Sequence, residues 1–116
     1  MVKEIDIKQL TELVRQGAEL VDVREQNEFP DGALNGGKNW PLSSFGLRKK
    51  DISGMRPTIF YCRSGLRSLK AAEIASNWTD QELYSLHGGI LALNAEDKAV
   101  LNPGEPSRNA GPTQNC

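Results

Sequence analysis

One five-residue stretch, Glu19–Val23, constrains the fold more than any other: Leu20, Val21 and Val23 put apolar side chains on both faces of an extended chain. A strand that buries both faces needs one layer above it and another below, the situation of an inner strand in a parallel sheet. Thr58–Cys62, dense in β-branched and aromatic residues, reads as a second and stronger strand, and Leu83–Leu86 as a third. Helical segments alternate with them. Asp6 and Gln9 form a capping box ahead of a helix whose apolar face is Ile7, Leu10, Leu13 and Val14, and Gly17 supplies its left-handed stop. Glu25–Phe29 reads as one helical turn broken by Pro30, Asp31 and Gly32, and Asn39–Leu42 as a brief extended piece. Ser43 or Ser44 caps a short helix to Lys50, with Arg48, Lys49 and Lys50 at its C-terminal end as a solvated face. Leu66–Trp78 is the next helix, and Gly88–Gly89 turns the chain into a short apolar helix, Ile90–Leu93. This alternation predicts a three-layer α/β domain with a mainly parallel sheet, flanked by helices, over residues 1–101. From Asn102 onward Asn, Pro, Gly, Ser and Gln dominate without apolar periodicity, so residues 102–116 are expected to be a disordered tail.

Composition removes several function classes. Fourteen basic residues stand against fifteen acidic ones, a net charge of −1, which leaves no general electrostatic grip on nucleic acid or on an anionic membrane. The longest apolar runs, Ile59–Cys62 and Ile90–Leu93, are far short of the roughly 20 residues that a membrane span needs. The N-terminus, MVKEIDIKQL, lacks the apolar core of a signal peptide, so the expected location is cytoplasmic. Two cysteines, Cys62 and Cys116, and one histidine, His87, are too few and too scattered for a disulfide scaffold or a zinc site, so no metal is expected.

The chemistry concentrates where the strongest strand meets a helix, in Cys62-Arg63-Ser64-Gly65-Leu66-Arg67-Ser68. The turn after a parallel strand faces the ligand crevice, and the next helix points its unpaired N–H groups back at the same place. A cysteine in that cradle ionises more readily than a free thiol. Arg63 and Arg67 add positive charge, and Gly65 permits a backbone that turns amides inward. The plainer alternative is a core cysteine followed by incidental arginines. It would put basic residues where they oppose the helix dipole. Cys116 has no such surroundings and reads as an ordinary thiol.

With these residues in view, the sequence resembles the rhodanese family. Val21-Asp22-Val23-Arg24 with Glu28-Phe29 and Gly32 is similar to its first signature, continued by Gly36, Asn39 and Pro41-Leu42. Tyr61 to Ser68 resembles its active loop, and Leu86-His87-Gly88-Gly89-Ile90 its final signature. Four motifs in order cover about Val2 to Leu93. The chain departs from the family pattern at Ala33 and Leu34, where histidine and a β-branched residue are common, and at Leu93, where tryptophan is common. The resemblance implies a five-stranded parallel sheet flanked by helices, and sulfur transfer through a cysteine persulfide without a cofactor.

On that reading Cys62 is the nucleophile and sulfur carrier, and the backbone amides of Arg63, Ser64, Gly65, Leu66, Arg67 and Ser68 form an anion cradle. Arg63 and Arg67 are expected to attract a thiosulfate dianion. Asp22 is expected to be a buried carboxylate in need of a partner; the resemblance suggests that it supports the site, while a structural cap stays open. Arg24 is expected to bridge loops at the sheet edge, and His87 to be an exposed loop residue. The implied partners are a small-molecule sulfur donor and a thiol or cyanide acceptor, with a sulfur-carrier or thioredoxin-like protein as a further candidate. A protein-to-protein sulfur relay or interaction module is the alternative. Dual-specificity phosphatases and arsenate reductases share the loop logic but carry an arginine after five intervening residues. Here that position is Ser68, and Arg67 comes one residue earlier.

Overall fold

The computed structural model describes residues 2–34, 37–53 and 56–101. Expectations for Gly36, Cys116 and the tail 102–116 lie outside the described residues. Eleven elements follow in order: β1 (Val2–Ile5), α1 (Ile7–Arg15), β2 (Glu19–Asp22), β3 (Lys38–Asn39), a 3-10 helix (Leu42–Arg48), α2 (Lys49–Ser53), β4 (Thr58–Tyr61), α3 (Leu66–Ala75), β5 (Leu83–Leu86), a second 3-10 helix (Ile90–Ala92) and α4 (Ala95–Leu101). The strands form one five-stranded sheet, all neighbours parallel, in the order β1-β5-β4-β2-β3.

The strand residues alternate between two cores, one on each face of the sheet. Ile59 and Tyr61 of β4 join Leu10, Leu20, Leu86 and Ile90 on the face that α1 and α4 cover. Phe60 and Cys62 join Val21, Phe45, Ile52 and the alanines of α3 on the other. Small side chains at Ala71, Ala72 and Ala75 let α3 lie close against β4 and β5. Phe45, from the first 3-10 helix, meets Phe60 edge-on and stacks on Trp78. Leu34 and Leu93, where the sequence departs from the family pattern, are both buried, and the Leu34 N–H donates to the Tyr61 hydroxyl at 2.9 Å.

Several local expectations shift. β1 is an edge strand that the polar N-terminus hid, since Lys3 and Glu4 are exposed and only Ile5 is fully buried. The Asp6–Gln9 capping box is present in both directions. Residues 26–32 are turns without a helix, and β3 begins one residue earlier than expected and has only two residues. The helix expected to end at Lys50 continues through α2, because Ile52 enters the core. Arg48, Lys49 and Lys50 therefore lie at a helix junction instead of a helix end, with the Arg48 guanidinium over the Trp40 ring. No helix among the described residues is long and apolar enough to cross a membrane.

Candidate active site

β4 sits between β5 and β2, at the centre of the sheet, and Cys62 is the residue just past its C-terminal end. Strand alternation puts the Cys62 side chain on the α3 face, beneath the N-terminus of that helix. The cysteine is fully buried. Its Sγ accepts the Gly65 N–H at 3.1 Å and the Ser68 N–H at 3.4 Å, and lies 3.6 Å from the Ser68 hydroxyl. Burial pushes the thiol pKa up, but the Ser68 hydroxyl and the N–H groups of Ser68, Gly65 and Ser64 outweigh it and hold the pKa below that of an ordinary thiol.

Two glycines shape this cradle. Gly65, at the N-cap of α3, has φ +98°, and a Cβ there would lie 2.9 Å from the Gly88 nitrogen. Gly89 is tighter still: a Cβ would lie 2.4 Å from the Arg63 carbonyl oxygen and 2.5 Å from that of Cys62. The turn after β5 and the second 3-10 helix are thereby pressed onto the loop, and the Ile90 and Leu91 N–H groups donate to the Cys62 and Arg63 carbonyls at 2.9 and 3.1 Å.

The two arginines of the loop differ. Arg63 is exposed and makes no side-chain ion pair among the described residues. Arg67 instead forms a bidentate pair with Glu28, at 2.9 and 3.0 Å. The Arg67 hydrogen bonds, then that of the Glu25 N–H, hold the Glu28 carboxyl at about 2, well below the usual carboxylate range. The Arg67 charge is thus matched by a carboxylate and is not offered whole to an anionic donor. Glu28 carries no role in the sequence reading beyond its place in a signature, and its contact spans 39 residues, a distance over which no local pattern gives a signal.

Asp22 and Arg24 form a buried pair at the end of β2. Arg24 donates through Nε and Nη2 to the Asp22 carboxylate, with Nη2 to Oδ2 at 2.7 Å, and its own N–H donates to Oδ1 at 2.9 Å. Nη1 and Nη2 also donate to the Asp31 and Phe29 carbonyls, respectively. Neither side chain has a hydrogen bond to Cys62; together they pin the turn that carries Glu28. His87 is exposed, with Nδ1 at 2.9 Å from Glu4. A surface hollow of about 430 Å³ lies elsewhere, between α1, β1 and Tyr84, and does not include Cys62.

One further side chain reaches the loop. Ser85 on β5, fully buried, lies 2.7 Å from the Ser68 hydroxyl. The sequence signal was slight: one serine in the short strand Leu-Tyr-Ser-Leu.

Comparison with known proteins agrees with this architecture. The family model for the rhodanese-like domain matches residues 6–96. The chain is 39% identical over 82 residues to the uncharacterized protein YqhL of Bacillus subtilis, covering 71% of this chain and 65% of that protein's length. It is 31% identical over 105 residues to a protein named sulfurtransferase from Allochromatium vinosum, covering 89% and 98%. Among solved structures, a rhodanese homologue from Thermus thermophilus superposes with a TM-score of 0.62 at 29% identity, covering 78% of this chain and 99% of that one.

Proposed function

Because the chain belongs to the rhodanese-like domain family, we propose that it is a sulfurtransferase that accepts a sulfane sulfur from thiosulfate on Cys62 and passes it to a thiophilic acceptor such as cyanide or a thiol. The observation that carries this reading is the Cys62 sulfur itself, buried at the end of the central strand with two backbone N–H groups aimed at it. The similarity to a sulfurtransferase along nearly the whole of both chains supports it.

The chemistry follows from that placement. The Cys62 thiolate attacks the outer sulfur of thiosulfate, the sulfur–sulfur bond of the donor breaks, and sulfite departs with the electron pair. The new persulfide carries its negative charge at the mouth of the cradle, where inward N–H groups and the start of α3 stabilise it without reorganising. An acceptor then attacks the terminal sulfur; cyanide leaves as thiocyanate, and the electron pair returns to Cys62 as thiolate. No proton need move in either step, so a buried site with no histidine at the sulfur suffices.

The test is intact mass. After incubation with thiosulfate the protein should gain one sulfur atom, and Cys62→Ser and Cys62→Ala should gain none and transfer none to cyanide. Full activity in either variant would remove Cys62 from the mechanism. A second reading, a relay in which donor and acceptor are other proteins, is favoured by one observation. Leu66 in the loop and Leu91, whose N–H donates to the Arg63 carbonyl of that loop, are 76% and 65% exposed, apolar side chains for which small anions have no use. A protein thiol that accepts sulfur far faster than cyanide would support the relay.

A further inference from the structure

The Ser68 hydroxyl has three polar neighbours and one proton. Ser85 Oγ lies at 2.7 Å, the Gly65 carbonyl at 3.2 Å and Cys62 Sγ at 3.6 Å. Ser85 is fully buried on β5, in register with Phe60 of β4, on the α3 face of the sheet. Among the described residues its hydroxyl has one partner, Ser68 Oγ. A buried hydroxyl left without an acceptor is unfavourable, so the Ser85 proton belongs to Ser68. Were the bond reversed, the Ser85 proton would have no acceptor and the sulfur would lose its hydroxyl donor.

With Ser85 donating, the Ser68 proton is free to choose. While Cys62 is a thiol, its S–H donates to Ser68 Oγ and Ser68 donates to the Gly65 carbonyl. When the sulfur becomes an anion, the Ser68 proton turns to it. We propose that Ser85 is a positioning residue for the sulfur chemistry: by donating to Ser68 it fixes the direction of a buried two-hydroxyl chain so that the Ser68 proton meets the negative charge on Cys62. This inference rests on the sulfur-carrier reading of Cys62. Chained hydroxyls polarise one another, which strengthens the terminal bond.

The charged and titratable groups on the surrounding elements are not part of the chain of hydroxyls. Arg67 on α3 is matched by Glu28, Arg63 lies on the loop, and Asp22 is held by Arg24 at the end of β2. Tyr61 and Tyr84 belong to the opposite core, and His87 after β5 pairs with Glu4. Removing the Ser85 hydroxyl leaves all of these in place.

The test uses the full chain with Cys116→Ser throughout, so that Cys62 alone reacts. The rate of alkylation by iodoacetamide is followed against pH for wild type, Ser85→Ala, Ser85→Thr and Ser85→Val. Thr and Val add the same bulk and differ in the hydroxyl. At neutral pH, Ala and Val should react about three- to tenfold more slowly, the effect of one weakened hydrogen bond to the thiolate, and should converge with wild type at alkaline pH. Thr should follow the wild-type profile. Equal profiles in all four proteins, or the same displacement in Thr as in Val, would overturn the proposal. Failure of the sulfur-carrier reading is separable: it would appear as wild-type protein that takes up no sulfur from thiosulfate, whatever the alkylation profiles.

Discussion

Glu28→Gln is the substitution whose outcome most directly probes how the site treats an anionic donor. Glu28 and Arg67 make two parallel hydrogen bonds, with side chains 32% and 34% exposed. Solvent at that level of exposure screens the pair, so its contribution is about 1 kcal/mol, at the upper end for surface pairs because the geometry is bidentate. Glutamine keeps the shape and can still accept the Glu25 N–H that Glu28 accepts at 3.1 Å. What it removes is the countercharge. Arg67 is then free to meet an anion at the mouth of the cradle, and an energy of about 1 kcal/mol corresponds to about a fivefold gain in kcat/KM for thiosulfate at low ionic strength. The gain should be smaller for a singly charged aryl thiosulfonate and should fade as salt approaches 1 M, where the screening length falls to about 3 Å. Acid should not mimic the variant in the wild type. The Glu28 pKa is depressed to about 2, so the pair is fully present above its ordinary value of 4.5 and is lost only as the pH falls through about 2. Unchanged thiosulfate kinetics at low salt, or an equal gain for both donors, would show that Arg67 does not face the donor even when released.

Three further outcomes follow from the same contacts. Arg24→Ala leaves the Asp22 carboxylate buried without its partner and frees the Phe29 and Asp31 carbonyls, so chemical denaturation should show a loss of about 3–5 kcal/mol. Gly89→Ala forces a Cβ to within 2.4 Å of the Arg63 carbonyl oxygen and should displace the loop, lowering the single-turnover rate of sulfur loading at least about tenfold; wild-type loading would mean the cradle tolerates a shifted turn. Asp22→Asn keeps the shape but removes the charge that holds Arg24, and should lower stability by less than Arg24→Ala, measured by the same denaturation curves.

How much of this was legible in the sequence depended on whether its signal was local. β2 and β4 declared themselves because burying both faces demands apolar residues at successive positions, and both central strands have them. The Asp6–Gln9 capping box was legible because both partners lie within one helical turn. The sulfur cradle was legible for the same reason: strand, loop and helix start are contiguous. By contrast, β1 is held as an edge strand by pairing with β5, 81 residues away in sequence, and shows solvent a polar face. α4 contributes Leu101 to the core but has little apolar periodicity to announce it. Glu28 and Ser85 meet the loop across the fold: the place of Glu28 in a signature gave it no partner, and nothing near Ser85 in the chain distinguishes it from any strand serine.

The one-residue difference from the phosphate-handling loops takes on a physical meaning here. Successive residues of a helix are rotated by about 100°, so moving an arginine by one position swings its guanidinium to another side of the first turn. Position 68 is the one that faces the sulfur, and it holds a fully buried hydroxyl between Cys62 and Ser85. Arg67, one step earlier, pairs instead with Glu28. A tetrahedral oxyanion spreads charge over several oxygens and calls for a cation and several donors around them. The interior of this loop offers backbone N–H groups and one hydroxyl converging on a single atom, with no guanidinium among them. Such a cradle is matched to negative charge localised on sulfur. Enlarging it for a phosphoryl group would require an arginine where Ser68 now closes the hydroxyl chain, and its burial there would break the contact between Ser85 and the one side-chain hydroxyl that, among the described residues, lies against the sulfur.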